Sequence, residues 1–364
     1  MKAIVIGAGV IGLHLAERLA LSGISVKVYD RKQHITDGAE KASGILSISG
    51  LNASGLPYRS AVLNTLDGAL LYAGRQKLYV ESKEPKAYVI DRAKLALNAY
   101  HAAVKAGAEI ILEKGIGAEE LHALARSGKY VIIGADGAVS ATASAFSFPP
   151  IKEYALTYKE VYKGARITDA SKVELVFSRA TPGFFGWTVP YKKNVLEIGA
   201  GVSSRAKMSS YQAFKGFSSS AIVYRHIKPA ERLNGYASII PLAARSTTVK
   251  GDIALVGDAA GQVKATTGGG IIFGTACADA LSTAIEKRIR EGKSLKHYEK
   301  EWRKRYGTEL KLHSLAHAYY SSLGEKGLEA LFRLSKIFGI EGFLGKHGDM
   351  DRPSIIIRRF FLRH

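Results

Sequence analysis

The chain opens on a continuous apolar run, KAIVIG (2–7), of the kind a parallel strand buried on both faces requires. Gly7 to Leu21 carries helical periodicity, and ISVKVYD (24–30) alternates as a second strand. Residues 91–106, DRAKLALNAYHAAVKA, predict an amphipathic helix, and YVIIGADGA (130–138) a buried strand ending in a turn. From about 151 to 245 the pattern changes. Tyr, Thr and Val alternate with charges in EYALTYKEVYKGARI, KVELVFSR and NVLEIGAGV, which predicts an antiparallel sheet. GDIALVGDAAG (251–261) returns to the buried-strand type, and a helix follows through about Glu291. Residues 295–364 read as mostly helical and rich in Lys, Arg and aromatics.

The expected fold class is therefore α/β. Residues 1–60, 85–150 and 246–294 form a discontinuous Rossmann-like domain, 61–84 and 151–245 an inserted β-rich domain, and 295–364 a C-terminal helical region. No internal repeat or low-complexity linker is visible.

Composition narrows the classes. With 364 residues, 47% of them hydrophobic, the chain can bury a large core. A formal charge of +20 favours anionic partners, such as an anionic lipid surface, a phosphorylated substrate or an acidic redox protein. A basic solvated surface accounts for that charge equally well. Nucleic acid is not expected, because no helix-turn-helix, zinc or RNP pattern occurs, and no metal site is expected either. The single cysteine, Cys277, excludes an internal disulfide and a dithiol redox centre, and it fits a cytoplasmic protein. A strand starting at Lys2 leads us to expect no signal peptide before the fold. The longest apolar stretch, Gly268 to Ile285, contains Asp279 and begins with three glycines, so it reads as a buried helix, not a membrane span.

Two motifs carry chemistry. The first is Gly7-Ala8-Gly9-Val10-Ile11-Gly12, placed between a strand and a helix. Gly7 permits the tight turn, Gly9 lets the backbone approach a pyrophosphate, and Gly12 lets the helix pack close to the strand. The helix N-terminus offers free N–H groups to phosphate. Asp30, followed by Arg31, ends the next strand, where an acidic side chain accepts hydrogen bonds from an adenosine ribose. The second motif is Gly257-Asp258-Ala259-Ala260-Gly261, with Gly268, Gly269, Gly270 and Ile271 starting the following helix. Asp258 suits a ribitol or ribose hydroxyl, and the helix start suits the flavin edge that gathers negative charge on reduction. Asp136, in a turn, and Arg92, at a helix start, are further candidates; a plain turn and a surface position would explain them as well. Ile198–Ser204, IGAGVSS, imitates the first motif but has Ser204 in place of the third glycine and no helix after it. It reads as strand and turn, which leaves no second nucleotide site.

In this order the motifs resemble the flavoproteins related to p-hydroxybenzoate hydroxylase, and within them the geranylgeranyl reductase family, including the archaeal digeranylgeranylglycerophospholipid reductases. GDAAGQVKATTGGGI (257–271) is similar to that family's GDAAGxxxPxTGGGI, and PGFFGWTVP (182–190) to its PxxYxWxFP. The resemblance spans residues 2 to about 290. It implies FAD as cofactor, with Gly7 to Gly12, Asp30, Arg31, Ser43, Gly44, Arg92, Asp136, Gly257, Asp258, Gly261 and Gly268 to Ile271 around it. It also implies reduction of isolated C=C bonds in polyprenyl chains, with Phe185, Trp187 and Pro190 lining the substrate tunnel. Ordinary sheet packing is the competing reading of those aromatics. A low-potential donor such as ferredoxin would supply the electrons; no residue is marked as the proton donor.

Two positions depart from the family. Ser43 stands where many relatives carry a cysteine, and Ala265 where they carry proline. Serine cannot do thiolate chemistry, so the departure touches the reaction more than the cofactor. The alternatives are an aromatic monooxygenase-type enzyme of the same fold, or a flavin-binding electron-transfer or lipid-binding paralogue. The ending RPSIIIRRFFLRH (352–364) mixes Arg with Ile and Phe as interfacial segments do, which suggests peripheral contact with an anionic membrane; a docked terminal element with solvated arginines is the plainer reading.

Overall fold

The apolar runs that begin and resume the nucleotide-type pattern lie side by side. In the computed structural model, which describes residues 1–361, they form a six-stranded sheet. Its order is Val249–Lys250, Ile253–Leu255, Tyr130–Gly134, Lys2–Ile6, Val26–Tyr29, Glu109–Ile111, parallel except for the first pair. The helices Val10–Leu21, Arg92–Ala106 and Ile271–Glu291 belong to one core with this sheet, through Leu13, Leu15, Leu19, Val28, Ala103, Leu281 and Ile285. The second of these starts where the sequence signals it: the Asp91 carboxylate caps the N–H of Lys94 at 2.9 Å.

A seven-stranded sheet stands against this unit, in the order Glu231–Pro241, Tyr154–Lys163, Val195–Ser203, Gly186–Lys192, Lys172–Phe177, Gly68–Ala73, Gln76–Glu81. It is antiparallel except for the pairing of Lys172–Phe177 with Gly68–Ala73. Alternation divides its faces. Leu196, Ile198, Ala200 and Val202 join Phe214 and Phe217 of the helix Ser210–Ser218 in one core, while Glu197, Gly199, Gly201 and Ser203 point to the other face. The strand Val62–Leu66 does not join this sheet: it pairs with Ala87–Ile90, which also pairs with Ile45–Ser47, in a small third sheet. The mixed α/β class with separate parallel and antiparallel sheets is the one predicted.

Four helices end the described chain: Lys296–Ser322, Glu325–Ile337, Ile340–His347 and Pro353–Phe361. Tyr298 and Trp302 bury the first against the Rossmann-like core, and Leu328 and Phe332 bury the second against Ala73 and Leu78. The final helix docks through the Ser354 N–H, which donates to Glu309 at 3.1 Å. The ending singled out in the sequence lies partly outside the described residues, which stop at 361. Among the described residues no helix is long and apolar enough to cross a membrane.

Candidate functional site

The glycine turn is tight for a steric reason. Gly7 has φ +107°, and a Cβ there would lie 2.4 Å from the Ala135 carbonyl oxygen; at Gly12 it would lie 2.0 Å from that of Gly7. Gly9, by contrast, faces open space. Asp30 braces the turn by accepting the Ala8 N–H at 2.7 Å. Lys32, overlooked in the sequence, completes the brace by donating to the Ala8 carbonyl at 2.6 Å. Burial lowers the Lys32 pKa, with Asp30 opposing it. Arg31 is exposed, Val10 is buried and Ile11 is half-buried.

Ile11 brings the two motifs together. A Cβ at Gly257 would meet its side chain at 3.3 Å, and one at Gly274 at 2.9 Å. Gly261 has φ +72° and lies against the Ala243 carbonyl, and Gly270 approaches the Asp258 carboxylate. Burial raises the Asp258 pKa against the pull of Arg92. Arg92 in turn is lowered by burial, and its Nε is buried without a hydrogen-bond partner. The helix Ile271–Glu291 starts without a side-chain cap. Open space at Gly9, an orphaned guanidinium nitrogen, a half-buried carboxylate and uncapped N–H groups together fit a dinucleotide carrying phosphates and polyol hydroxyls.

Of the other predicted residues, Asp136 borders the glycine turn, its Cα 2.9 Å from where a Cβ on Gly7 would lie. The Asp136 carboxylate accepts from Ser140 Oγ at 2.6 Å and from the Thr142 N–H and Oγ1 at 2.9 and 3.0 Å, so its hydrogen bonds go to the short helix that follows. Gly44 lets its segment meet the strand before Arg92: its carbonyl accepts the Ile90 N–H at 2.9 Å, and a Cβ would collide with the Ile90 carbonyl. Strand alternation sets Pro190 on the face opposite Trp187, where its carbonyl accepts from Asn64 at 2.8 Å. The structure does not bring it to the aromatic group.

That group is an apolar shelf. Phe184 and Phe185 stack at 4.2 Å between centroids, and Trp187 meets Phe185 edge-on at 6.0 Å. The imitation motif explains how the shelf fits on the sheet. A Cβ at Gly199 would lie 2.1 Å from the Trp187 ring, and one at Gly201 2.5 Å from Phe184, so these glycines make room for aromatic rings instead of a nucleotide. Gly268, with φ +75°, abuts Ile240 and lies within reach of Phe184, and Ala265 shares the core of Phe185 and Trp187. The loop after the second motif thus borders the shelf.

Beside the shelf lies a polar cluster of which the sequence marked only Ser43 and Trp187; Glu197, Lys159 and Tyr191 were missed. Glu197 is fully buried and accepts hydrogen bonds from Trp187 Nε1 at 2.8 Å, Lys159 Nζ at 2.5 Å, Ser43 Oγ and the Tyr191 hydroxyl. Burial by itself would raise the Glu197 pKa, but Lys159 and these hydrogen bonds outweigh it and hold the carboxyl below its ordinary value. Burial, then the Glu197 charge, pushes the Tyr191 phenol well up. Lys159 also donates to the Ala42 carbonyl at 3.1 Å, so the segment carrying Ser43 is tied to the sheet twice. A cavity of about 280 Å³ opens here, lined by Ala42, Arg92, Lys159 and Tyr191 among others. The available signal was a charged residue at an inward strand position in EIGAGV, in register with the glycines that face the shelf.

The chain is similar to known proteins along its whole length. Residues 5–39 match the family model of an NAD(P)-binding Rossmann-like domain. Digeranylgeranylglycerophospholipid reductase 1 of Methanothermobacter thermautotrophicus is 27% identical, over 90% of this chain and 88% of that protein. The chain is thus similar to a digeranylgeranylglycerophospholipid reductase over most of its length. A geranylgeranyl bacteriochlorophyll reductase-like structure from Thermoplasma acidophilum superposes with a TM-score of 0.80 at 16% identity, covering 98% of this chain and 94% of the other. The myxobacterial chondrochloren halogenase, described as FAD-dependent, follows at a TM-score of 0.68 and 16% identity, covering 97% and 92%. These two likenesses establish the fold.

Proposed function

We propose that the chain binds FAD and saturates C=C bonds in the polyprenyl chains of isoprenoid lipids. The observation that carries this reading is the placement of an aromatic shelf, Phe184, Phe185 and Trp187, beside the loop that follows the second nucleotide motif. An apolar alkene needs alignment and exclusion of water more than it needs polar machinery. Bound FAD supplies hydride. The chain's own residues do the rest. Gly7, Gly9 and Gly12 shape the phosphate cradle and Asp30 braces it, with Val10 and Ile11 behind; Arg92 and Asp258 take the polyol and phosphate groups of the middle. The helix start at Gly270-Ile271 stabilises negative charge.

Glu197 and Lys159 act on the substrate face by fixing Trp187. Ser43 joins that network as a hydroxyl donor, a role that needs no thiolate. The +20 charge supports an acidic low-potential donor such as a ferredoxin, and peripheral contact with anionic lipid. Oxygen distinguishes this reading from an oxidative one. The reduced protein, mixed with O₂ and a prenyl lipid, is expected to give no hydroxylated product; a C4a-hydroperoxide signal coupled to hydroxylation overturns the assignment.

A further inference from the structure

The C-terminal helices carry an outer face that the site does not use. On the helix Glu325–Ile337, Leu328 and Phe332 face inward, while Leu334, Ile337 and the following Phe338 lie on the opposite side at helical spacing. Ile337 and Phe338 are each 70% exposed, and Leu334 49%. Large apolar side chains clustered this way at a helix end mark an interaction surface.

The charges around them are one-sided. Every acid between residues 325 and 359 is engaged within the chain. Glu325 pairs with Arg179 at 2.5 Å, Glu329 accepts the Arg75 N–H at 3.3 Å and Glu341 the Tyr79 N–H at 2.6 Å. Asp349 accepts the N–H groups of Asp351 and Arg352, and Asp351 pairs with buried Lys264 at 2.6 Å. Lys326, Arg333, Lys336, Lys346, Arg352 and Arg358 are exposed, and none has an acidic partner among the described residues. Arg359 is also exposed and reaches His347 at 3.2 Å, which ties the last helix to the one following the tip.

We propose that this face, with Ile337 and Phe338 at its tip and Arg333 and Lys336 beside them, docks the protein on an anionic lipid bilayer. A bilayer offers what the face displays: an apolar layer for the two protruding side chains and anionic headgroups for the flanking cations. An acidic protein would satisfy the cations and leave the apolar tip without a counterpart. The placement deepens the lipid-substrate reading and rests on it for its purpose; vesicle binding is measured without turnover, so either can fail alone.

The test is co-sedimentation of the flavin-loaded full chain with phosphatidylglycerol-containing vesicles and with pure phosphatidylcholine vesicles. The expected result is binding to the anionic vesicles that weakens as salt is raised. Ile337→Ser with Phe338→Ser, and separately Arg333→Gln with Lys336→Gln, should each weaken it by about tenfold. Both pairs are at the surface, and an unchanged circular dichroism spectrum confirms that the fold is intact. Absence of binding to anionic vesicles, equal binding to both vesicle types, or unchanged binding in the Ile337/Phe338 variant overturns the proposal.

Discussion

The indole N–H of Trp187 donates at 2.8 Å to Glu197, a carboxylate that Lys159 neutralises from the neighbouring strand. The apolar shelf is thereby oriented by a buried ion pair, and the segment carrying Ser43 hangs on the same carboxylate. Removing one partner of such a pair strands the other charge. Glu197→Gln should lower stability by about 3–5 kcal/mol, and Lys159→Met placed on top of it should restore much of the loss. Denaturant unfolding of the two single variants and the double variant measures this. A loss in the double variant equal to the sum of the two single losses would show that the pair is not coupled.

The glycines beneath the shelf set a second expectation. Gly199→Ala places a methyl 2.1 Å from the Trp187 ring, so the ring must move. A cost of about 1–3 kcal/mol follows from overpacking, together with a change in tryptophan emission. Gly117→Ala, where a Cβ meets nothing within 4 Å, serves as the control and should leave the emission alone.

Much of this was legible in the sequence, and the limit has a physical cause. The Gly7–Gly12 turn is local, so spacing within one strand-turn-helix unit suffices to recognise it. The sheet register is not local. Glu197 could be placed beside Trp187 and Lys159 only once Val195–Ser203 is known to lie between Gly186–Lys192 and Tyr154–Lys163. The same register sends Pro190 to the far face. Asp136 could be read either way for the opposite reason: its partners are four and six residues away, and a turn of that kind looks alike with or without a ligand.

Two histidines give the pH profile two limbs of opposite sign. His313 is pushed down to about 4, by burial first and then by Lys264, and its Nε2 has no hydrogen-bond partner. It folds neutral, whereas the unfolded chain takes up a proton near 6.5, so stability falls as pH drops from 6.5 toward 4, by up to about 3 kcal/mol. His313→Gln should flatten this acid limb in unfolding measured against pH. An unchanged limb would assign it to other groups.

His226 is raised, chiefly by its hydrogen bond to Glu174 at 3.3 Å, with its own burial opposing. Its contribution is fully present below 6.5 and is lost as pH rises through the folded value. His226→Asn should therefore cost more at pH 6 than at pH 9. Equal cost at both would remove the ion pair from the account.

The glycine cradle is tested by retention of cofactor. Gly12→Ala sets a methyl 2.0 Å from the Gly7 carbonyl oxygen, which forces the turn open. The purified variant should lose at least tenfold in FAD affinity, read from flavin fluorescence on dilution. Undiminished affinity would remove this turn from the cofactor site.

The central claim is the union of a flavin cradle with an alkene shelf on Trp187. Its most direct measurement is anaerobic incubation of the dithionite-reduced protein with a digeranylgeranyl lipid, followed by mass spectrometry of the lipid. The account predicts reoxidised flavin and a mass gain of one H₂ for each double bond saturated, both suppressed in Glu197→Gln. Fully reduced FAD beside an unaltered lipid would contradict it.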